Sequence, residues 1–204
     1  MYEITDEFID KLRAKIFKRF SDFKGKLADF DELNTLNGSK ELYKKLLDDA
    51  KKSYVAMAKL VYLSIWDSYK ALKEDPEQRK IDDTWLDYIL SDYDPVTKYV
   101  FFHEVERKEA RFAESVVASS KKDAETKTAM SLWSRMVVQY AIEITDEAVV
   151  DALKDLGYKY VIWRTEKDER RCVICASREG KRYPIKRIPI KPHINCRCWV
   201  EGAD

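Results

Sequence analysis

Apolar residues recur at three- and four-residue spacing along most of the chain, the signature of helices that bury one face. From Thr5 to Leu33 they fall at Ile9, Leu12, Ile16, Phe20, Phe23, Leu27, Phe30 and Leu33, with Thr5 or Asp6 placed to cap the helix. Asn37, Gly38 and Ser39 predict a turn. Beyond it a stripe of Leu42, Leu46, Ala50, Tyr54, Met57, Val61, Ile65 and Tyr69 is flanked by Tyr43, Leu47, Val55, Ala58, Tyr62 and Trp66. An apolar face that wide predicts burial on more than one side.

Asp75, Pro76 and Glu77 interrupt the pattern, and a shorter helix through Ile81, Trp85 and Ile89 ends near Asp92. Asp94 followed by Pro95 has the form of a helix start. A charged helix from Val96, which carries His103 as a surface residue, leads to the polar stretch Ser119 to Lys127. Another helix then carries Met130, Trp133, Val137, Tyr140 and Ile144 on one side. Thr145 and Asp146 predict the cap of a further short helix closed by Gly157. The grammar then changes: Tyr158 to Thr165 is rich in β-branched and aromatic residues and reads as a strand. The expected fold is α+β, with a body of long helices over residues 1–157 and a small strand-and-loop module over residues 158–204.

Composition narrows the function classes. With 204 residues and 45% apolar content, a core can form without disulfides. The charged fraction is 37%, yet 38 basic residues nearly cancel 37 acidic ones, which excludes a strongly basic, histone-like DNA binder. The balance is uneven along the chain: residues 164–204 hold 11 basic against 6 acidic residues, net +5, and residues 1–163 hold 27 against 31, net −4. The glycines stand singly at 25, 38, 157, 180 and 202, so a Gly-rich phosphate loop is excluded. No stretch approaches the ~18 consecutive apolar residues of a membrane-spanning helix. The opening MYEITDEFID is acidic where a secretory signal is basic, so an intracellular location is expected.

The chemistry is concentrated near the C-terminus, where all four cysteines lie between Cys172 and Cys198. Cys172-x2-Cys175 is followed by His193-x2-Cys196-x-Cys198. A two-residue spacing lets a tight turn aim both side chains at one ion, and Zn²⁺ favours four nitrogen or sulfur ligands in a tetrahedron. The preferred set is Cys172, Cys175, His193 and Cys196, with Cys198 as the alternative to His193 in a four-cysteine site. Thiols packed in a small core, a reversible disulfide and a catalytic Cys/His pair compete with zinc. No catalytic residue is assigned, and the zinc-deaminase pattern is absent, because Arg171 rather than Pro precedes Cys172 and His103 is followed directly by Glu104 and Val105. Between the two ligand pairs, Lys181, Arg182, Lys186, Arg187 and Lys191 alternate with apolar residues. They form a candidate phosphate-contacting ridge, or simply a solvated loop.

Trp163-x-Thr165, Asp168-x-Arg170-x-Cys172-x2-Cys175, Gly180 and Pro192-His193-x-Asn195-Cys196-Arg197-Cys198 together resemble the conserved module of the phage Mu protein F-like minor head (head-morphogenesis) family. The resemblance covers about 36 residues, Trp163 to Cys198. It implies a low-copy, non-enzymatic structural protein of a tailed phage or prophage, associated with the portal and the capsid interior during head assembly and DNA packaging. The partners it implies are the portal protein and other head proteins; contact with packaged DNA, without sequence reading, is a separate expectation from the net +5 of residues 164–204. The location it implies is the virion head, and the host cytoplasm during assembly. Two other readings stand beside it: a cytosolic zinc-stabilised nucleic-acid-binding protein, and a toxin or effector enzyme fused to a head-protein module.

Overall fold

The computed structural model describes residues 2–26, 29, 31–72, 76–91, 109, 110, 112–114, 116, 140–167, 171–193 and 196–204. The expectations at Leu27 and Phe30, the helix start at Asp94 and Pro95, His103, the polar stretch 119–127, and Met130, Trp133 and Val137 lie outside the described residues. Of the charged helix expected from Val96, only helical backbone at 109, 110, 112–114 and 116 lies inside them.

Helix α1 (Tyr2–Lys24) buries Ile9, Leu12, Ile16 and Phe20, the stripe its periodicity predicts. Thr5 is not its cap. It lies one turn inside the helix, fully buried, with its hydroxyl 2.9 Å from that of Thr145. Leu33 is 65% exposed and does not extend the stripe.

Helix α2 (Glu32–Tyr69) starts at Asp31, whose carboxylate accepts the Asn34 N–H at 2.7 Å. It runs without a break through Asn37, Gly38 and Ser39, where the sequence predicts a turn. The physical reason is local: the Thr35 and Ser39 hydroxyls donate back to the carbonyls of Asp31 (2.8 Å) and Thr35 (2.6 Å). Both residues are buried, so the hydroxyls satisfy themselves within the helix while tertiary packing holds it. Its 38 residues span about 57 Å at 1.5 Å per residue, far more than α1 can cover. Accordingly Leu46, Ala50, Tyr54, Met57, Val61 and Tyr62 are buried along nearly the whole length.

Asp49 ties the two helices together. Its buried carboxylate meets Lys15 at 2.8 Å and the Arg19 guanidinium, both from α1. Burial pushes its pKa up, but the hydrogen bonds from Arg19 and Lys15 outweigh burial and hold it below the usual carboxylate value. A folded-state pKa below the unfolded one contributes stability above the unfolded value of about 3.9, and that stability is lost as pH falls through the folded pKa. Asp49→Asn is therefore expected to flatten the acid limb of the stability–pH curve, measured by urea unfolding at pH values from about 2 to about 6. An unchanged limb would show that the clamp contributes nothing.

A single 3₁₀ turn follows α2 at Lys70–Leu72, and residues 76–81, a strap without regular secondary structure, lead into α3 (Asp83–Ser91). Arg79 of the strap reaches the helical residues 140–155, here α4, donating to Asp151 at 2.7 Å and Asp155 at 3.1 Å. The Tyr62 hydroxyl accepts the Arg79 N–H and donates to Asp155, both at 2.9 Å, so α2, strap and α4 are fixed by one polar network. Thr145 does not cap a new helix, contrary to expectation. It lies within α4, where its hydroxyl donates to the Ala141 carbonyl at 2.7 Å.

Gly157 follows α4 with φ +82°, the predicted terminating position. A Cβ there would meet nothing within 4 Å, so only backbone conformation opposes a side chain. Gly157→Ala is expected to cost about 1–2 kcal/mol by thermal unfolding; no loss would mean that the turn relaxes.

The fold is α+β: a mostly helical body with a small three-stranded antiparallel sheet at its C-terminal end. Strand β1 (Tyr160–Arg164) is central, pairing with β2 (Arg182–Pro184) through Val161 opposite Tyr183, and with β3 (Trp199–Ala203) through Ile162 opposite Glu201. Alternation along β1 buries Val161 and Trp163. Val161, with Tyr158 and Ile185, belongs to the large core shared with the helices, whereas Trp163 packs with Cys175, Cys196 and Cys198 in a second, smaller cluster. Gly202 matters at this junction, because a Cβ there would lie 3.0 Å from both Leu153 of α4 and Tyr158.

Candidate metal centre

The turn between Thr165 and β2 carries a short helix, α5 (Val173–Arg178), with Cys172 at its N-cap. The Cys172 sulfur accepts the Cys175 N–H at 3.3 Å, the bond that a Cys-x2-Cys turn offers a thiolate. That backbone N–H is the main reason the Cys172 thiol is pulled down to about 7, with a smaller contribution from His193. One turn of helix places Cys175 inward, 2% exposed. Its sulfur lies 3.6 Å from His193 Nε2 and 3.6 Å from the Cys196 sulfur.

The sheet supplies the rest. Cys196 and Cys198, two residues apart just before β3, are both buried beside Trp163. Burial pushes the Cys175 thiol strongly up and the Cys198 thiol up to about 11. The Trp163 indole N–H, buried with no conventional acceptor, bears on the Cys198 sulfur and favours its thiolate.

All five sequence-predicted donors converge, but not as a single quartet. Cys172, Cys175 and His193 form one group whose ligand atoms lie within 4.8 Å of one another, and Cys175, Cys196 and Cys198 form a second. Two sulfurs bound tetrahedrally to one zinc ion at about 2.3 Å lie about 3.8 Å apart. The 3.6 Å separations around Cys175 are of that size, and far longer than the ~2.05 Å of a disulfide. The four cysteines are free thiols, so the cluster can hold a metal ion.

The motif residues around the cluster have visible work. The Thr165 N–H and hydroxyl both donate to one Glu179 carboxylate oxygen, at 2.6 and 2.7 Å, and the hydroxyl is the main reason that carboxyl is held below its usual range. Trp163 exchanges backbone hydrogen bonds with Lys181 and Gly180, each at 2.9 Å, and Gly180 turns the chain at φ +72°. The Arg178 guanidinium lies over the Trp163 ring at 5.1 Å. These contacts close the loop that carries α5 onto the sheet. Trp163, Thr165 and Gly180 are thus supporting residues whose roles the spacing alone did not reveal. Asp168, Arg170 and Asn195 lie outside the described residues.

The cationic ridge is divided by the fold. Lys191 turns inward, meeting Asp146 of α4 at 2.7 Å and the Cys196 carbonyl at 3.2 Å. Arg182 lies 3.8 Å over the Tyr160 ring and donates to the Asp204 carbonyl. Lys181, Lys186 and Arg187 are exposed.

Among the described residues, no helix is long and apolar enough to cross a membrane. No protein-family model matches the chain, and no curated protein or solved structure matches it either.

Proposed function

We propose that the protein is a minor head protein of a tailed phage or prophage, whose helical body docks on the portal or its neighbours and whose thiol-rich module is a zinc-held structural element. What supports this reading is the motif itself: Trp163, Thr165, Cys172, Cys175, Gly180, His193, Cys196 and Cys198 resemble the head-morphogenesis pattern in type and spacing. Among them the donors converge on Cys175 and the remainder brace the loop that carries them. Zinc, once bound, would tie the α5 turn to the segment before β3, adding a cross-link where Trp163 packs with Cys175, Cys196 and Cys198.

Quantitative peptide counting on nuclease-treated, DNA-filled particles tests the reading, with this protein ratioed to the major capsid protein. A few to tens of copies per head is the expected result. Absence from filled particles and empty procapsids, with the protein left in the soluble lysate, would overturn it. DNA binding is expected to be weak and indifferent to sequence. Contacts through the four exposed ridge cations, Lys181, Arg182, Lys186 and Arg187, give a slope of log K against log salt no steeper than about −4. Tight, sequence-selective binding would favour the cytosolic nucleic-acid-binding reading instead.

A further inference from the structure

We infer that the thiol cluster is built for two soft metal ions bridged by the Cys175 sulfur, an inference that rests on the metal-centre reading above. The outer ion takes Cys172, Cys175 and His193, and the inner ion takes Cys175, Cys196 and Cys198.

The argument is geometric. A single tetrahedral ion needs four donors with every pair about 3.8 Å apart. No four of the five donor atoms lie within even 4.8 Å of one another, whereas two sets of three do, and Cys175 belongs to both. Its sulfur already stands 3.6 Å from a donor of each set, His193 Nε2 on one side and the Cys196 sulfur on the other.

A single ion in the outer set would leave Cys196 and Cys198 as spare thiols, 1% and 3% exposed. One in the inner set would strand Cys172 and His193. Charge is compatible with two ions: four thiolates balance two divalent cations, so the fully loaded cluster carries no net charge.

The two positions differ in surroundings. His193 is exposed and Cys172 half-buried, so the outer ion has a solvent side from which water completes its coordination. The inner set is buried throughout and offers three sulfurs, one fewer than the four donors zinc favours, so the inner ion is expected to bind more weakly than the outer one. Thiolate-rich donors of this kind select d¹⁰ ions such as Zn²⁺ and Cd²⁺ over hard cations.

Native mass spectrometry of the reduced full-length chain, titrated with zinc alone, reads the stoichiometry. Two ions per chain at saturation is expected. Saturation at one ion overturns the inference and leaves the metal-centre reading intact, whereas no bound ion overturns both. Loading with ¹¹³Cd then tests the bridge: two cadmium resonances split by mutual coupling through the shared sulfur are expected, and two uncoupled resonances would overturn it. Cys198→Ser is expected to lower the stoichiometry from two to one. Because Cys198 is buried, His193→Ala at an exposed position is the parallel variant, with the same expected drop and an unperturbed circular dichroism spectrum. Two ions retained by either variant would overturn the assignment.

Discussion

Cys175→Ser is expected to strip the protein of all bound metal and to loosen the C-terminal module while the long helices remain folded. Cys175 belongs to both donor groups and is 2% exposed, so its loss leaves each group with two donors. Serine is a poor ligand for a soft ion, and its hydroxyl would be buried among sulfurs and the Trp163 ring. Structural zinc contributes on the order of 10 kcal/mol to the folding of small zinc-dependent domains. The loss here is expected to be smaller, because Tyr158, Val161 and Ile185 also anchor the sheet in the large core. The measurements are metal content by plasma emission, tryptophan fluorescence, and hydrogen exchange over residues 160–203. The expected pattern is metal at background, a red-shifted Trp163 contribution, and protection lost in β1, β2 and β3 but kept in α1 and α2. A variant that holds metal and melts like the parent would remove Cys175 from the centre.

Asp151→Ala is expected to destabilise the helical body by about 3 kcal/mol, at the lower end of what breaking a buried ion pair costs. The Asp151 side chain is only 5% exposed, and one of its oxygens accepts from both Arg79 Nη1 at 2.7 Å and Trp85 Nε1 at 2.9 Å. Lys154 approaches the other oxygen at 3.2 Å. Removing the carboxylate orphans the buried indole N–H and one arm of the guanidinium, but Arg79 is 41% exposed and regains part of its hydration. For a chain of this size, about 3 kcal/mol corresponds to a fall of roughly 6–12 °C in Tm. Metal content should not change, which separates this lesion from that at Cys175. A change within about 0.5 kcal/mol, the range of ordinary surface substitutions, would mean that the network is decorative.

The helices were legible where apolar spacing carried the message. Ile9, Leu12, Ile16 and Phe20 are buried as their periodicity requires, and the double stripe of α2 is buried on both flanks. Two of the misreadings share one cause. Asn37-Gly38-Ser39 and Thr145-Asp146 have the residue types of turns and caps, yet Ser39 and Thr145 spend their hydroxyls on the carbonyl four residues back. Both are fully buried against other elements, a tertiary circumstance invisible to local propensity. Gly38 in a helix interior costs about 1 kcal/mol relative to alanine, less than the surrounding packing returns.

The site was legible in its ingredients and not in its arrangement. Spacing identified all five donors, because a Cys-x2-Cys turn is a local object. Their sorting into two groups depends on where β1 places Trp163 and on where His193, Cys196 and Cys198 lie relative to α5, which no spacing encodes. In the same way, nothing local distinguishes Lys191, drawn inward by Asp146 from a distant helix, from Lys186, which stays in solvent.

Val161 and Trp163, two residues apart on one face of β1, belong to different cores. That makes the strand a thermodynamic link between the two ends of the molecule. Any partner that engages the helical body and prefers a well-ordered β1 must tighten metal binding, and metal must tighten the partner by the same factor. A metal affinity measured on the isolated chain would then be a lower bound for the chain bound to such a partner.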